Sequence, residues 1–422
     1  MSLSQPFPFQ LKRALLPDGE RRSFLVGQNG MEDDYTSLFV ISTIRNRGLS
    51  VASQDAALNA INVLSAFCCR HEIDLAGRLR AGKYLTSAEC ESLSNFARQS
   101  FGAEAKRYQK VVTLGKVRRG YTYAVPEVES TTHGARLGHI ADFVEWMSKY
   151  LSTHLNAERL SGVAEMRAQL LRHRSGKSSR KDDFEQAEFT RFHNQILNEL
   201  IAPGSERNPF RRDVQLRNLI LLELPRQAGL RRGEVLSLQV RDIDHVKRQL
   251  TVKRRHDDKD DPRVDQPVPK TLGRTIPLSG YLTELLVQYV GQRRTVPGAT
   301  KHRYLFITHK SGPTQGQPMT KAAMKEVFDT LANADERLSQ LRAHLLRHFF
   351  SNELAHLQHE QGNDADNQEL HRRVRNYLSG RKQHSEVDAV YTLMETTRQA
   401  RASALALQER MAAKQQPPRG QA

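Results

Sequence analysis

The sequence predicts a mostly α-helical protein of the α+β class, in which a helical N-terminal domain precedes a mixed, mainly helical domain with a small β-sheet or hairpin. Apolar residues recur at helical spacing, as in Leu137, Ile140 and Val144. The period changes to two at residues 250–254 and 274–278, which predicts a strand and its return. A length of 422 residues exceeds one ordinary core, so two or three domains are expected.

Turn residues and charge divide the chain into segments. Pro6, Pro8 and Pro17 indicate an irregular N-terminal arm. Thr86 and Glu89 have the spacing of a capping box at the start of a short helix. The predicted segments are the arm over 1–36, a helical domain over 37–172 with a basic, hairpin-like insertion at 102–132, a basic linker over 173–185, a second domain over 186–400 and a tail over 401–422.

The charge balance favours a polyanionic partner. The chain has 64 Lys and Arg against 47 Asp and Glu, a formal net charge of +17. Such an excess attracts nucleic acid first, although a generically basic or ribosome-associated protein would show the same balance. Five cations crowd the linker region and could cross a phosphate backbone, unless the linker is merely solvated. They are Arg172, Arg174, Lys177, Arg180 and Lys181.

Cysteine usage and the N-terminus indicate the compartment. The three cysteines, an odd number, lack metal-ligand spacing and suit a reducing environment. The first residues do not pair a basic region with an apolar one as a signal peptide does, and no apolar run approaches membrane-spanning length. We therefore expect a soluble, cytoplasmic protein with no membrane partner and no metal site.

The candidate chemistry centres on residues 339–391. Arg347 and His348 follow His344 by three and four residues, so a helix would present all three on one face, where they could bind an anion. Upstream, Gly229-Leu230-Arg231 is followed by Glu234. Taken alone, each group could equally be polar residues on a solvated surface.

In chain order, the residues Arg231, Lys270, His344, Arg347 and Tyr391 form a more specific pattern. With Gly-Leu-Arg-x-x-Glu at the front and His-x-Leu-Arg-His near the end, this order resembles the tyrosine recombinase (phage integrase) family. The resemblance covers about residues 186–400 and implies that this domain is catalytic. Residues 37–172 resemble the family's helical core-binding domain only in size, basicity and placement.

The resemblance also implies a role for each residue. Arg231 and Arg347 would clamp the phosphate, with Arg232 second to Arg231. Tyr391 would be the nucleophile, with Tyr377 as its rival, and His344 would accept or share the tyrosine proton. Lys270 would protonate the leaving 5′-oxygen, and Lys253 and Lys259 are its rivals on a hairpin longer than is usual in the family.

Three further positions complete the expected site. Glu234 would orient its neighbours, and His348 would support the site without reacting. One position departs from the family pattern, which has His or Trp directly after the Leu-Gly step. Here Arg381, Lys382 or His384 could donate to the phosphate, and His384 is favoured.

The resemblance implies a site-specific DNA recombinase or integrase of a mobile element, acting in integration or transposition. It would cleave and rejoin strands through a 3′-phosphotyrosyl intermediate without a metal or cofactor, and it would be associated with the nucleoid. Its expected partners are double-stranded DNA and further copies of itself, as a tetramer on DNA, and other recombinase subunits could join. Alternatives are an enzyme similar to type IB topoisomerases or telomere resolvases, and a catalytically silent DNA-binding subunit of a recombination complex.

Overall fold

The structure is a computed structural model that divides into two compact units. One comprises Met1–Leu16 and Arg21–Asp183, and the other Pro17–Glu20 and Phe184–Ala422. The residues described are 7–101, 126–152, 154, 156–174, 189–269, 272–360, 365–380 and 389–413, with the backbone alone at 359–360, 365–368, 389–398 and 413.

In its described residues, the first unit combines helices with one hairpin. Its elements are β1 (Phe9–Leu15), β2 (Arg21–Gly27), α1 (Asp34–Phe39) continued by a π-helical turn (Val40–Arg45), α2 (Val51–Arg70), α3 (Leu75–Arg80), α4 (Ser87–Arg98), α5 (Ser130–Leu151) and α6 (Ala157–Arg172). Helix α2 is buried along Leu58, Ile61 and Leu64 and contacts β2, α4 and α5.

The prediction of an irregular arm over residues 1–36 is wrong. Strands β1 and β2 pair antiparallel, from Phe9 opposite Gly27 to Leu15 opposite Arg21. The inward-facing positions of β2 include buried Arg21 and Ser23, and Ser23 Oγ donates to Asp55 over 2.7 Å. Because these positions are polar, the alternation of apolar residues that signals a strand is missing from the sequence.

The range predicted for the basic insertion, 102–132, is too long at its C-terminal end. Helix α5 begins at Ser130, within that range. Residues 102–125 lie outside the described residues, and an antiparallel bridge joins Gln99 and Glu127 on either side of them.

The second unit combines helices with a three-stranded antiparallel sheet. Its elements are α7 (Arg191–Ile201), α8 (Arg212–Ala228), α9 (Arg232–Ser237), β3 (Ile243–Asp244), β4 (Gln249–Val252), β5 (Arg274–Pro277), α10 (Gly280–Arg294), α11 (Lys321–Ala334), α12 (Ala343–Glu360), α13 (Ala365–Ser379) and α14 (Ala389–Ala413). The sheet order is β3-β4-β5, and Leu250 faces Ile276 across the β4–β5 pair. The predicted strand and return are therefore confirmed.

Helix α8 organises the core of this unit. Nearly all of its side chains are buried, and it contacts α10, α12 and α14. Three helix ends meet near its last residue: the end of α8 itself, the start of α9 and the end of α13. The polar groups of the candidate active site lie at this junction.

The boundary predicted at residue 401 falls inside a helix. Helix α14 runs from Ala389 to Ala413 and contacts α8, α12, α13 and β5 of its own unit. Ala400, Ala404, Leu407 and Met411 continue one apolar stripe across that boundary and are buried. The residues from 401 to 413 are therefore part of this unit's core and not a separate tail.

Among the described helices, none combines the length and the apolar character needed to span a membrane.

Candidate active site

Gly229 turns the chain at the end of α8 and thereby places Arg231. It has a left-handed backbone with φ of 63°, and a Cβ at this position would lie 2.5 Å from the Phe350 ring. Only glycine adopts this conformation at little cost and also leaves room for the ring. Arg231 follows in extended conformation and immediately precedes α9.

Glu234 is the buried acidic centre of the site. It is 0% exposed, and one of its carboxylate oxygens accepts the backbone N–H of Arg231 over 2.9 Å. The guanidinium of Arg274, on β5, donates to both carboxylate oxygens over 2.9 Å each. A buried carboxylate is costly unless it is paired and hydrogen-bonded, and this bidentate pair meets that requirement.

Arg231 and Arg347 converge on one backbone oxygen. Arg231 Nη1 donates to the Ser379 carbonyl over 2.6 Å, and Arg347 Nη2 donates to the same carbonyl over 3.0 Å. Arg347 Nη1 also donates to the Gly229 carbonyl. Arg347 is 6% exposed, whereas the Arg231 side chain is 35% exposed. Two guanidinium groups from separate segments therefore meet at the end of α13.

His344 and His348 lie on consecutive turns of α12, and their Nε2 atoms are 2.8 Å apart. Both residues are exposed. Reduced hydration of the ring and the positive charges of His348, Arg347 and Arg231 lower the pKa of His344 below its ordinary value of 6.5. His344 is therefore neutral at neutral pH and can accept a proton.

Lys270 and His384 lie outside the described residues, but the residues around Lys270 border the site. A Cβ on Gly233, in α9, would lie 3.7 Å from the Val268 carbonyl. On the other side, the Leu272 N–H donates to the Gly380 carbonyl over 3.4 Å.

Tyr391 lies in the first turn of α14, and its side chain is outside the described part of the chain. The rival Tyr377 is partly buried on α13, and its hydroxyl donates to the Thr275 carbonyl over 3.4 Å. The rival lysines, Lys253 and Lys259, are exposed.

The linker cations are described only in part. Arg172 ends α6, and Arg174 follows it two residues later. Lys177, Arg180 and Lys181 lie outside the described residues.

Sequence reasoning missed Arg274. The signal for it was present: Arg274, Ile276 and Leu278 alternate along the strand, so Arg274 shares the inward face of two apolar residues, and all three are buried. The donors of a buried arginine must be satisfied by acceptors, and for Arg274 the main acceptor is the buried carboxylate of Glu234.

The arrangement is suited to an anion. Arg231, Arg274 and Arg347 surround Glu234, which leaves a formal net charge of +2 on the four side chains. Arginine forks match the oxygens of a phosphate group. Within the described ranges, no group of three or more His, Cys, Asp and Glu side chains could hold a metal ion.

Comparison with known proteins agrees with this chemistry. The model of the phage integrase family matches residues 194–365, a span that includes Arg231, Glu234, His344 and Arg347 and ends before Tyr391. Tyrosine recombinase XerC of Staphylococcus haemolyticus is 24% identical over 144 residues, which are 33% of this chain and 40% of the relative. The match thus spans less than half of that relative's length.

Similar solved structures include the XerH site-specific recombinase bound to a palindromic difH substrate, at 16% identity and a TM-score of 0.36 over 76% of this chain and 85% of that chain. Another is the Tn1549 transposon integrase in complex with circular intermediate DNA, at 14% identity and a TM-score of 0.36 over 74% of this chain and 99% of that chain. Residues 194–365 therefore match the phage integrase family, over less than half of the chain, and part of the chain is similar to a tyrosine recombinase.

Proposed function

We propose that this protein is a site-specific recombinase of a mobile element, which cleaves and rejoins DNA strands through a 3′-phosphotyrosyl intermediate. The observation that carries the proposal is the convergence of Arg231 and Arg347 on one oxygen, the Ser379 carbonyl. The match of residues 194–365 to the phage integrase family supports it.

The two arginines supply the electrostatics of the reaction. A phosphodiester gains negative charge in the pentavalent transition state, and preorganised cationic donors stabilise that charge most strongly where water is excluded. Arg231 and Arg347 already direct N–H groups at one acceptor, the geometry that a non-bridging phosphate oxygen requires. With such donors, the reaction needs no metal or nucleotide cofactor.

The proposed nucleophile is Tyr391. Its oxygen attacks phosphorus and forms the 3′-phosphotyrosyl bond while the bond from phosphorus to the 5′-oxygen breaks. His344, with its lowered pKa, accepts the tyrosine proton. Lys270 donates a proton to the departing 5′-oxygen, and His384 adds a donor to the phosphate.

The proposed substrate is duplex DNA held by both units. The net charge of +17 favours contacts with DNA phosphates, and the five linker cations supply up to five such contacts. Exchange between two duplexes requires four strand cleavages, so four copies of the chain would assemble on DNA, where further recombinase subunits could join them.

A suicide substrate tests this function. A nicked duplex that spans the junctions of the DNA element carrying the gene releases a short fragment after cleavage and traps the covalent adduct. We expect an adduct with the natural chain, no adduct with Tyr391→Phe, and unchanged DNA affinity in that variant. Tyr377→Phe is the control and should still form the adduct. Loss of the adduct in Tyr377→Phe alone would assign the nucleophile to Tyr377 instead.

A further inference from the structure

Arg274 is held through all three nitrogens of its guanidinium group. It is 5% exposed and lies at the start of β5. Its Nη1 and Nη2 atoms donate to the two oxygens of Glu234 over 2.9 Å each, and its Nε donates to the Leu378 carbonyl over 2.8 Å. Every nitrogen of the fork is therefore engaged, and the side chain joins β5, α9 and the end of α13.

The same carboxylate lies farther from the other two guanidinium groups. Arg231 Nη1 is 3.6 Å from Glu234 Oε1, and Arg347 Nη1 is 4.0 Å from Glu234 Oε2. Both distances exceed those of direct charge-assisted hydrogen bonds, which are about 2.7–2.9 Å. Of the three arginines, Arg274 thus lies closest to the Glu234 carboxylate, while Arg231 and Arg347 donate to the Ser379 carbonyl.

Without Arg274, the positions of the other two guanidinium groups around Glu234 would change. A carboxylate that is 0% exposed would be left without its bidentate partner, and an unpaired buried charge is strongly unfavourable. Arg231 and Arg347 are the neighbouring cations able to neutralise it. They would move toward Glu234 and away from the oxygen on which they now converge, and the formal charge of the group would fall from +2 to +1.

We propose that Arg274 is a positioning residue, which saturates Glu234 and so directs Arg231 and Arg347 at the DNA phosphate. Its hydrogen bond to the Leu378 carbonyl holds the residue next to Ser379 in place. The Arg274 side chain therefore fixes the positions of both the Glu234 carboxylate and the end of α13. This inference rests on the proposed function for the identity of the anion. Because Arg274 is buried, it acts through the other two arginines and does not touch DNA itself.

The test compares Arg274→Gln with the double variant Arg274→Gln, Glu234→Gln. Single-turnover cleavage of the suicide substrate should fall about 10- to 100-fold in Arg274→Gln, the range known for residues that orient the ligands of a metal site. The slope of log affinity against log salt should also fall, by about one for each phosphate that Arg231 or Arg347 no longer reaches, although Arg274 itself binds no phosphate. The double variant removes the carboxylate charge and should recover both quantities at least in part.

Arg293→Gln is the matched control for burial. Arg293 is also 5% exposed in the same unit, but its bonds go to the carbonyls of Ala299, His302 and Tyr304. At equal folded fraction it should keep the salt slope and cleavage rate of the natural chain. If Arg274→Gln does not fold, Arg274→Lys replaces it, because a lysine can keep one charged bond to Glu234. Adding Glu234→Gln to Arg274→Lys should again raise the cleavage rate and the salt slope.

The outcomes separate this inference from the proposed function. If the natural chain forms no covalent adduct, the proposed function fails, while recovery of the salt slope by Glu234→Gln still supports the positioning role. If Arg274→Gln has the slope and rate of the natural chain, or if adding Glu234→Gln worsens both, the positioning role is overturned.

Discussion

The Nε2 atoms of His344 and His348 lie 2.8 Å apart on consecutive turns of α12. At this distance one nitrogen must donate and the other must accept, so the pair holds a proton between two rings that neighbour Arg347. Any additional proton would break this bond and add positive charge beside the arginines. The contact therefore links the protonation of His344, the proposed base, to a residue that need not touch DNA.

The first prediction concerns the pH dependence of cleavage. Reduced hydration of the ring and the charges of its neighbours lower the pKa of His344 below 6.5. Its neutral form therefore persists below pH 6.5, and the acid limb of the single-turnover rate should have its midpoint below that value. In His348→Gln, one of the groups that lower this pKa is gone, and the midpoint should move upward. His356→Gln, an exposed histidine on the same helix, is the control and should not move it. Equal profiles for His348→Gln and the natural chain would contradict this coupling.

The same pKa shift affects stability, with a defined sign. A histidine whose folded-state pKa is below its unfolded value binds fewer protons in the folded state, so protonation favours unfolding. The contribution of His344 to stability is complete above about pH 6.5, the unfolded value, and declines as the pH falls below it. Urea unfolding of the natural chain and of His344→Gln across this range should show a smaller loss of stability on acidification in the variant.

The second prediction concerns Gly229. An alanine there would have to adopt φ of 63° with its Cβ 2.5 Å from the Phe350 ring. A left-handed backbone costs a non-glycine residue about 1–2 kcal/mol, and the clash with the ring adds to this, so Gly229→Ala should lower the free energy of unfolding by about 2 kcal/mol or more. Urea unfolding measures the change.

Gly291→Ala is the matched control for that substitution. Gly291 lies inside α10, and a Cβ there would meet nothing within 4 Å. Alanine favours a helix interior over glycine by about 0.5–1 kcal/mol, so this variant should be more stable than the natural chain. A loss of stability at Gly291 equal to that at Gly229 would show that neither the backbone angle nor Phe350 explains the effect.

Sequence patterns predicted the local features of this fold well, because their causes are local. The capping box of Thr86 and Glu89 is present at the start of α4, where the Thr86 side chain accepts the Glu89 N–H. The two period-two segments pair as β4 and β5, with Leu250 opposite Ile276. In each case a few adjacent residues suffice to specify the structure.

The features that the sequence did not reveal depend on distant partners. Ser23 faces inward on β2 because Asp55, on α2, accepts a hydrogen bond from its hydroxyl. Arg274 is buried because Glu234, in another helix, supplies the opposite charge. The alternation of Arg274 with Ile276 and Leu278 indicates that Arg274 is buried, but no short pattern identifies the distant partner of either residue.

The third prediction concerns the two convergent arginines. Arg231→Ala and Arg347→Ala each remove a donor that acts most strongly in the transition state, so each should reduce single-turnover cleavage by about 10²-fold or more. DNA affinity should fall far less. Arg232→Ala changes the residue next to Arg231 and is the control. If affinity and cleavage decline equally in the two variants, these arginines are ordinary backbone contacts.

The fourth prediction concerns the linker cations, which begin with Arg172 and Arg174 at the end of α6. If the five residues cross a DNA backbone, replacing all five by Gln removes up to five phosphate contacts. Each phosphate contact that is removed should reduce the slope of log affinity against log salt by about one. Cognate and random duplexes should be affected alike, because phosphates carry no base identity, so the preference for the cognate site should persist.

Affinity measured across a range of salt concentrations, on a cognate and a random duplex, decides between a clamp and a solvated linker. The pair Arg172→Gln and Arg174→Gln separates the two described cations from the other three. A clamp along the whole linker gives a graded fall in slope, smaller for this pair than for the five-fold variant. An unchanged slope in the five-fold variant would mean that the linker touches no phosphate. DNA would then be held by other cations of the two units, which the net charge of +17 supplies in excess.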